Sequence, residues 1–517
     1  MGSRRLAESA TAGLRRAGVR RLFGLPGGGP NLDLIGAAPD LPFTLAHGET
    51  AACVMAGAFG LLTGTPGVAV VTRGPGVTSA ANGLAQATLD RAPLLLVSDC
   101  VTADQRRRVA HQRLDQRAFT APVTRFSGVV GHTGAADTVA AAAALALGPP
   151  AGAVHLDYDP SLPGDRPPAP PRADPPDPGA LAAACATARG SRRPVVVLGL
   201  GAVAHAAELQ ASLVGTGIPV LTTYQATGTL PTTAAEWAGP FTNAALERPL
   251  LEQADLVIGV GLDDVEPIPA GWSTAAPTVL LDAAPSPYFD GATAVPGPPV
   301  ESLRALLAAC APAWPSDAGR RHLEAVRTRL ADGPDGGLHP VDLVRAVHAA
   351  AGDALLTVDA GAHMLAALPF WPVTRPRGLL ISNGLATMGY ALPAAIGAAL
   401  TGARVVCLTG DGGLGMVLAE LETVARLGLP VTVVVFNDAT LSLIAIKQGA
   451  GQGDATAVRY APVDLAAAAA ALGVPSAAVD TAADATRVLR AAGPGPFLLD
   501  AHVDPASYRH LMAVSRG

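Results

Sequence analysis

Residues 404–441 read RVVCLTGDGGLGMVLAELETVARLGLPVTVVVFNDATL. An apolar run rich in β-branched residues, 404–409, enters Gly410-Asp411-Gly412-Gly413. A helical stripe follows, formed by Leu414, Val417, Leu418, Leu421, Val424 and Ala425, and Gly428 and Pro430 end it. A second apolar run, 431–436, ends in Asn437-Asp438. Continuous rather than alternating apolar runs describe strands buried on both faces, and strand–helix–strand order describes a parallel βαβ unit. Two acidic tips, Asp411 and Asp438, then stand at the carboxyl ends of parallel strands, where open α/β sheets bind ligands. The glycine turn lets backbone N–H groups face an anion, and Gly410, Gly412 and Gly413 permit close approach. Two carboxylates with nearby carbonyls form an oxygen cage suited to Mg²⁺, an ion usually shared with phosphate groups. A tight turn with a capping Asp, followed by a separate Asn-Asp loop, explains either tip alone. It does not explain both tips at a spacing of 26 residues across a helix.

The same rhythm extends outward from this unit. Strand-like runs at 67–72, 93–98, 194–199, 219–222, 256–260 and 354–359 alternate with Ala-rich helical segments such as 50–63 and 77–90. The chain has 517 residues, too many for one core. A proline-dominated stretch, 161–178 (SLPGDRPPAPPRADPPDP), reads as a semi-rigid linker, and a weaker break lies near 311–337. The expected architecture is α/β, with three open doubly wound parallel-sheet domains at 1–162, 179–312 and 338–510. Half the residues are hydrophobic, 15% are charged and the net charge is −6, which excludes a disordered chain and offers no nucleic-acid surface. The apolar stretches are too short for a membrane span, and 1–21 lacks the apolar block of a signal peptide. A cytoplasmic protein is expected, with its five scattered cysteines reduced.

The GDG turn followed by Asn-Asp resembles the motif of thiamine-diphosphate enzymes. The wider chain resembles the acetolactate synthase and benzoylformate decarboxylase branch of that family. Residues 22–34 (LFGLPGGGPNLDL) are similar to its opening strand and glycine loop, and His47-Gly48-Glu49 to its catalytic-Glu segment. Residues 72–83 (TRGPGVTSAANG) resemble its glycine–proline turn, 111–124 its later loop, and 383–400 (NGLATMGYALPAAIGAAL) the segment that holds the thiamine ring. The resemblance implies a pyrimidine domain, a Rossmann-like middle domain and a diphosphate domain. It also implies thiamine diphosphate and Mg²⁺ as cofactors and a small 2-oxo acid as substrate. A homodimer or homotetramer with active sites at the subunit interface follows from it as well.

Site residues follow by the same resemblance. Glu49 is the catalytic residue that bonds the aminopyrimidine and manages its proton, while the cofactor carries the carbanion chemistry; on its own it reads as a helix-start charge. Gln112 faces the site. Arg73 stands where relatives carry a small residue or histidine, and its guanidinium suits a substrate carboxylate or other anion. Asp411, Asp438 and the Thr440 carbonyl hold the metal. Gly410, Gly412, Gly413, His363, Asn437 and Leu441 belong to the cofactor's surroundings, with Asn437 leaning to a structural role. Met388 forces the cofactor into its bent shape and the Ala386 carbonyl accepts from its amino group.

Three departures bear on the activity. Many relatives have Asn at Asp438. The segment 441–448 carries Lys447, the only lysine in the chain, and lacks the tryptophan of branched-chain biosynthetic enzymes. In the middle domain Gly199 and Gly201 give an incomplete glycine fingerprint, and Leu262-Asp263-Asp264 replaces the family's Arg-Phe, which argues against FAD. The reading is a decarboxylating carboligase, with simple decarboxylation to an aldehyde or a non-catalytic cofactor-binding homologue as alternatives.

Overall fold

Each third of the chain builds one six-stranded sheet in which all paired strands are parallel. The computed structural model describes residues 3–172, 175–268, 272, 274–282, 286–333, 336–448, 452 and 455–517. The first sheet contains β1 (Leu22–Leu25), β2 (Phe43–Leu45), β3 (Gly67–Val71), β4 (Leu94–Asp99), β5 (Phe126–Val130) and β6 (Ala153–Tyr158), in the order β2-β1-β3-β4-β6-β5. The second contains β7 (Pro194–Leu198), β8 (Val220–Thr222), β9 (Trp237–Pro240), β10 (Leu256–Val260), β11 (Thr278–Leu281) and β12 (Thr293–Val295), in the order β12-β11-β10-β7-β8-β9. The third contains β13 (Leu355–Val358), β14 (Leu379–Ile381), β15 (Val405–Gly410), β16 (Val431–Asn437), β17 (Ser476–Val479) and β18 (Phe497–His502), in the order β14-β13-β15-β16-β18-β17. The strands legible as apolar runs are the inner ones, buried on both faces. The three-residue edge strands β2, β12 and β14 carry no run long enough to see.

Alanine and glycine set how closely the layers pack. Helix Glu49–Thr63 of the first domain lies against helix Ala391–Ala399 of the third, and both belong to one apolar core that also holds Val405, Cys407 and Val433. A Cβ on Gly397 would sit 2.3 Å from the Met55 carbonyl oxygen, so this approach requires a residue without a side chain. Polar ties add to the contact. Asp90, buried at the end of helix Pro75–Leu89, accepts the N–H groups of Asn383 (2.9 Å) and Gly384 (2.6 Å). Arg91 forms a two-pronged pair with Asp263 of the middle domain, both bonds 2.8 Å.

Two local expectations are corrected and a third is refined. The single helix after the GDG turn is two, Asp411–Met416 and Glu420–Arg426, because Gly412, Gly413 and Gly415 are weak helix formers and Val417 leaves helical φ at −132°. The break at 311–337 is largely a helix, Ala318–Ala331; Gly319 lies so close to β9 that a Cβ would sit 2.4 Å from the Glu236 carbonyl oxygen. The proline stretch lies against the first sheet, where the Asp165 N–H donates to the Val129 carbonyl (2.9 Å) and Asp165 Oδ2 accepts the Val129 N–H (2.8 Å). Residues 173–174 of that stretch and 334–335 of the break lie outside the described residues. The described cysteines are all free; Cys53, Cys100 and Cys407 are buried, Cys185 and Cys310 half-buried. No described helix is long and apolar enough to cross a membrane.

Asp99, at the end of β4, is buried; its Oδ2 accepts from Asn31 Nδ2 at 2.8 Å, and burial pushes its pKa from 3.8 up to about 7. The folded chain therefore holds this proton more tightly than the unfolded chain. Its stabilising effect is complete below about 3.8 and is lost as pH rises through about 7. Asp99→Asn should raise the thermal midpoint relative to the parent, and the gain should grow from pH 4 to pH 7. A gain independent of pH would show that the Asp99 proton is not linked to folding.

Candidate active site

Register brings the two acidic tips together. β15 and β16 pair from Val405↔Val431 to Gly410↔Phe436, so Asp411 and Asn437-Asp438 leave neighbouring strands at the same level. A cavity of about 200 Å³ opens there. Gly410–Gly413, Asp438, Thr440 and Leu441 form one side of its lining, and His363, Ala386 and Met388 contribute from the loops that follow β13 and β14. Asn437 lines no part of it: its Nδ2 donates to Asp500 Oδ1 (2.9 Å) and the Val463 carbonyl (3.3 Å), which holds β16 to β18.

The carboxylates are held from behind. Asp411 accepts the N–H groups of Gly412 (2.8 Å, Oδ1) and Ala439 (2.7 Å, Oδ2), and Tyr460 bonds it as well. Asp438 accepts the Thr440 N–H (3.1 Å, Oδ1) and the Ser442 hydroxyl (Oδ2). Burial raises the pKa of both, and Asp411 helps push Asp438 up to about 6. Two buried like charges are what a divalent cation would relieve. Among the described residues no group of three His, Cys, Asp or Glu side chains converges; the two carboxylates and nearby carbonyl oxygen are the donors on this side of the cavity.

The residues fit thiamine diphosphate with Mg²⁺. His363 is buried and stacked on Phe436 (5.3 Å between centroids), and its Nε2 has no hydrogen-bond partner. Burial lowers its pKa to about 4, so the ring is neutral. The glycines form a cradle that side chains would fill. A Cβ on Gly412 would lie 2.8 Å from Leu441 Cδ2 and 3.0 Å from the Tyr460 hydroxyl, and a Cβ on Gly413 would lie 2.2 Å from Asp359 Oδ2. Met388 Cε stands 3.6 Å from the Gly412 Cβ position. Ala386 is left-handed (φ 52°), a costly conformation for a non-glycine residue.

The first-domain candidates lie elsewhere in the single chain. Glu49 begins helix Glu49–Thr63, and its Oε1 is 3.6 Å from where a Gly76 Cβ would stand; it does not line the cavity. The loop before it is tied to the third domain, since the His47 N–H donates to Glu420 Oε1 (2.9 Å) and His47 Nε2 lies 2.7 Å from Glu422 Oε2. Arg73 and Gln112 meet on the same rim, Nε to Oε1 at 3.3 Å. Lys447 is exposed at the end of helix Ser442–Lys447.

Sequence reasoning missed Asp359, Ser442, Tyr460 and Tyr508. Asp359, like Asp411, is an acidic residue directly after a buried strand, and that pattern was available. Tyr508 lines the cavity from the last helix, Ala506–Arg516, and nothing local announces it.

The whole chain can now be compared with known proteins. Residues 4–119, 181–288 and 359–501 match the N-terminal TPP-binding, central and C-terminal TPP-binding domains of thiamine pyrophosphate enzymes. The chain belongs to this family and is a thiamine-diphosphate-dependent enzyme of lyase or transferase type. Within it the chain falls in the acetolactate synthase-like branch. It is 29% identical to the acetolactate synthase of Bacillus subtilis, over 96% of this chain and 93% of that protein. It is 30% identical to the catabolic acetolactate synthase of Raoultella terrigena (94% and 92%). It is also 30% identical to a probable 2-ketoarginine decarboxylase of Pseudomonas aeruginosa (83% and 81%).

Titration calorimetry with thiamine diphosphate and Mg²⁺ tests the carboxylate assignment. Asp411→Ala should abolish Mg²⁺-dependent cofactor binding. Ser442→Ala, which leaves Asp438 with only the Thr440 N–H to hold it, should weaken Mg²⁺ by roughly 10-fold. Unaltered Mg²⁺ dependence in Asp411→Ala would remove this residue from the metal site.

Proposed function

We propose that the protein is a Mg²⁺- and thiamine-diphosphate-dependent enzyme that decarboxylates a 2-oxo acid and couples the remaining fragment to a second carbonyl compound. The observation that carries this reading is the cavity at the ends of β13, β15 and β16, with its glycine cradle, paired carboxylates and unpartnered His363. Similarity over nearly the full length to two acetolactate synthases supports it. Simple decarboxylation is the second reading, supported by the relative described as a 2-ketoarginine decarboxylase.

When bound, the cofactor supplies the electron sink that lets the bond to the carboxylate break and CO₂ leave. The chain's own residues hold and orient it. Asp411, Asp438 and the Thr440 carbonyl hold Mg²⁺. The Gly410–Gly413 turn and His363 face the diphosphate. Met388 would pack against the thiamine, and the strained Ala386 would offer its carbonyl to it. Glu49 would hold and exchange a proton with the bound ring, and since it stands away from the cavity of its own chain, a second copy would supply it. The active site is thus formed between subunits of a homodimer or a larger homo-oligomer.

The middle domain is read as flavin-free. The Leu200 N–H after β7, which a pyrophosphate would need, donates to both oxygens of buried Glu266 (3.1 and 3.0 Å).

Purified protein with thiamine diphosphate, Mg²⁺ and a panel of 2-oxo acids should release CO₂ and yield a carbon–carbon coupled product by mass. Free aldehyde as the only product would establish simple decarboxylation instead. Glu49→Gln should keep cofactor binding and lose turnover by at least about 100-fold; full turnover in that variant would overturn the role of Glu49.

A further inference from the structure

Arg73 is mounted on a rigid base and carries a free charge. It follows β3, at the carboxyl end of the first sheet, on the rim that also bears Glu49. The turn beneath it is fixed by buried Gln116, whose Oε1 accepts the Gly74 N–H (2.7 Å). Its Nε2 donates to the Asp99 carbonyl (2.9 Å) and to Asp157 Oδ1 (2.6 Å). Gly74 is left-handed (φ 63°), and a Cβ there would lie 3.1 Å from both Cβ and O of Gln112. Gln112 is itself left-handed (φ 56°), so the one side chain that bonds Arg73 is held in a costly conformation.

Among the described residues no carboxylate lies within ion-pair distance of the Arg73 guanidinium, and its one hydrogen bond, to Gln112, is long at 3.3 Å. Arg15 and Arg91, by contrast, each end on a carboxylate, Asp40 and Asp263. The acid that feels Arg73 is Asp99, buried under Gly29 and bonded to Asn31. Asp99 Oδ1 and Asn31 Oδ1 are both buried acceptors without a donor. Burial raises the Asp99 pKa to about 7, so at neutral pH its carboxyl sets only part of a charge against Arg73.

A guanidinium that gripped the carboxylate lost as CO₂ would stabilise the ground state more than the transition state, in which that charge is dispersed. A charge placed here is better used on an anion that survives the reaction. Resting on the 2-oxo acid reading above, we propose that Arg73, backed by Gln112, determines specificity. It recognises a second anionic group (carboxylate, sulfonate or phosphonate) on one of the two carbonyl substrates, remote from the reacting carbon. The fork of an arginine suits such a group better than a point charge would.

Pairs matched in chain length test this on the protein with thiamine diphosphate and Mg²⁺. Donors are 2-oxoglutarate against 2-oxopentanoate, and phosphonopyruvate against 2-oxobutyrate, read by CO₂ release. Acceptors are succinate semialdehyde against butanal, read by coupled product. The parent enzyme should favour the anionic member of the donor pairs or of the acceptor pair in kcat/KM, which tells which substrate carries the group. In Arg73→Leu that anionic-to-neutral ratio should fall roughly 10- to 100-fold, with Arg73→Lys between. A parent enzyme without an anionic preference would overturn the proposal, and it needs no variant to fold. So would equal losses on both members of each pair, and with a changed mass in light scattering that result would make Arg73 an interface residue. In either case CO₂ release leaves the 2-oxo acid reading standing. No CO₂ and no product from any pair, with the cofactor bound, would remove that reading and the proposal with it.

Discussion

One buried carboxylate gathers the diphosphate domain. Asp359, fully buried after β13, accepts the N–H groups of Gly389 (3.0 Å) and Tyr390 (2.9 Å) and the hydroxyl of Thr409 (2.9 Å). Gly389 and Tyr390 follow the Ala386–Met388 turn, and Thr409 precedes the GDG turn. The two segments that line opposite sides of the cavity are thus bonded to the same side chain. Burial lifts its pKa to about 6, and the three donors counter that rise. The absence of a Cβ on Gly413 is what lets the GDG turn come down onto it.

A second constraint works between domains. The alanine-rich helices Glu49–Thr63 and Ala391–Ala399 merge the first and third domains into one core. Asp90 then pins the Asn383–Gly384 segment that leads into the Ala386 turn. Glu420 pins the loop that leads into Glu49. Two of the loops proposed for the site are therefore each held by a carboxylate on the neighbouring domain.

The two first-domain rim residues differ in kind. Glu49 sits on the half-buried start of a buried helix, and Arg73 on a turn that Gln116 locks from below. Neither reaches the cavity of its own chain. On the function proposed above, both residues would act in a site that a second copy completes.

The sequence by itself determined the fold class, because continuous apolar runs interrupted by helical stripes have one common solution, a parallel sheet covered on both faces. It also determined the turn at 410–413 and the acidic tips Asp411 and Asp438, because strand ends and glycines are local features. The family motifs it carried led to His363, Ala386, Met388, Thr440 and Leu441, all of which line the cavity. Only the tertiary structure decided the rest. The short edge strands, the broken helix after Met416 and the helix at 318–331 depend on neighbours distant in sequence. Asn437 turned to Asp500, and Asp359, Ser442, Tyr460 and Tyr508 joined the site, because hydrogen-bond partners are chosen by what folding brings within about 3 Å. No spacing along the chain encodes that distance.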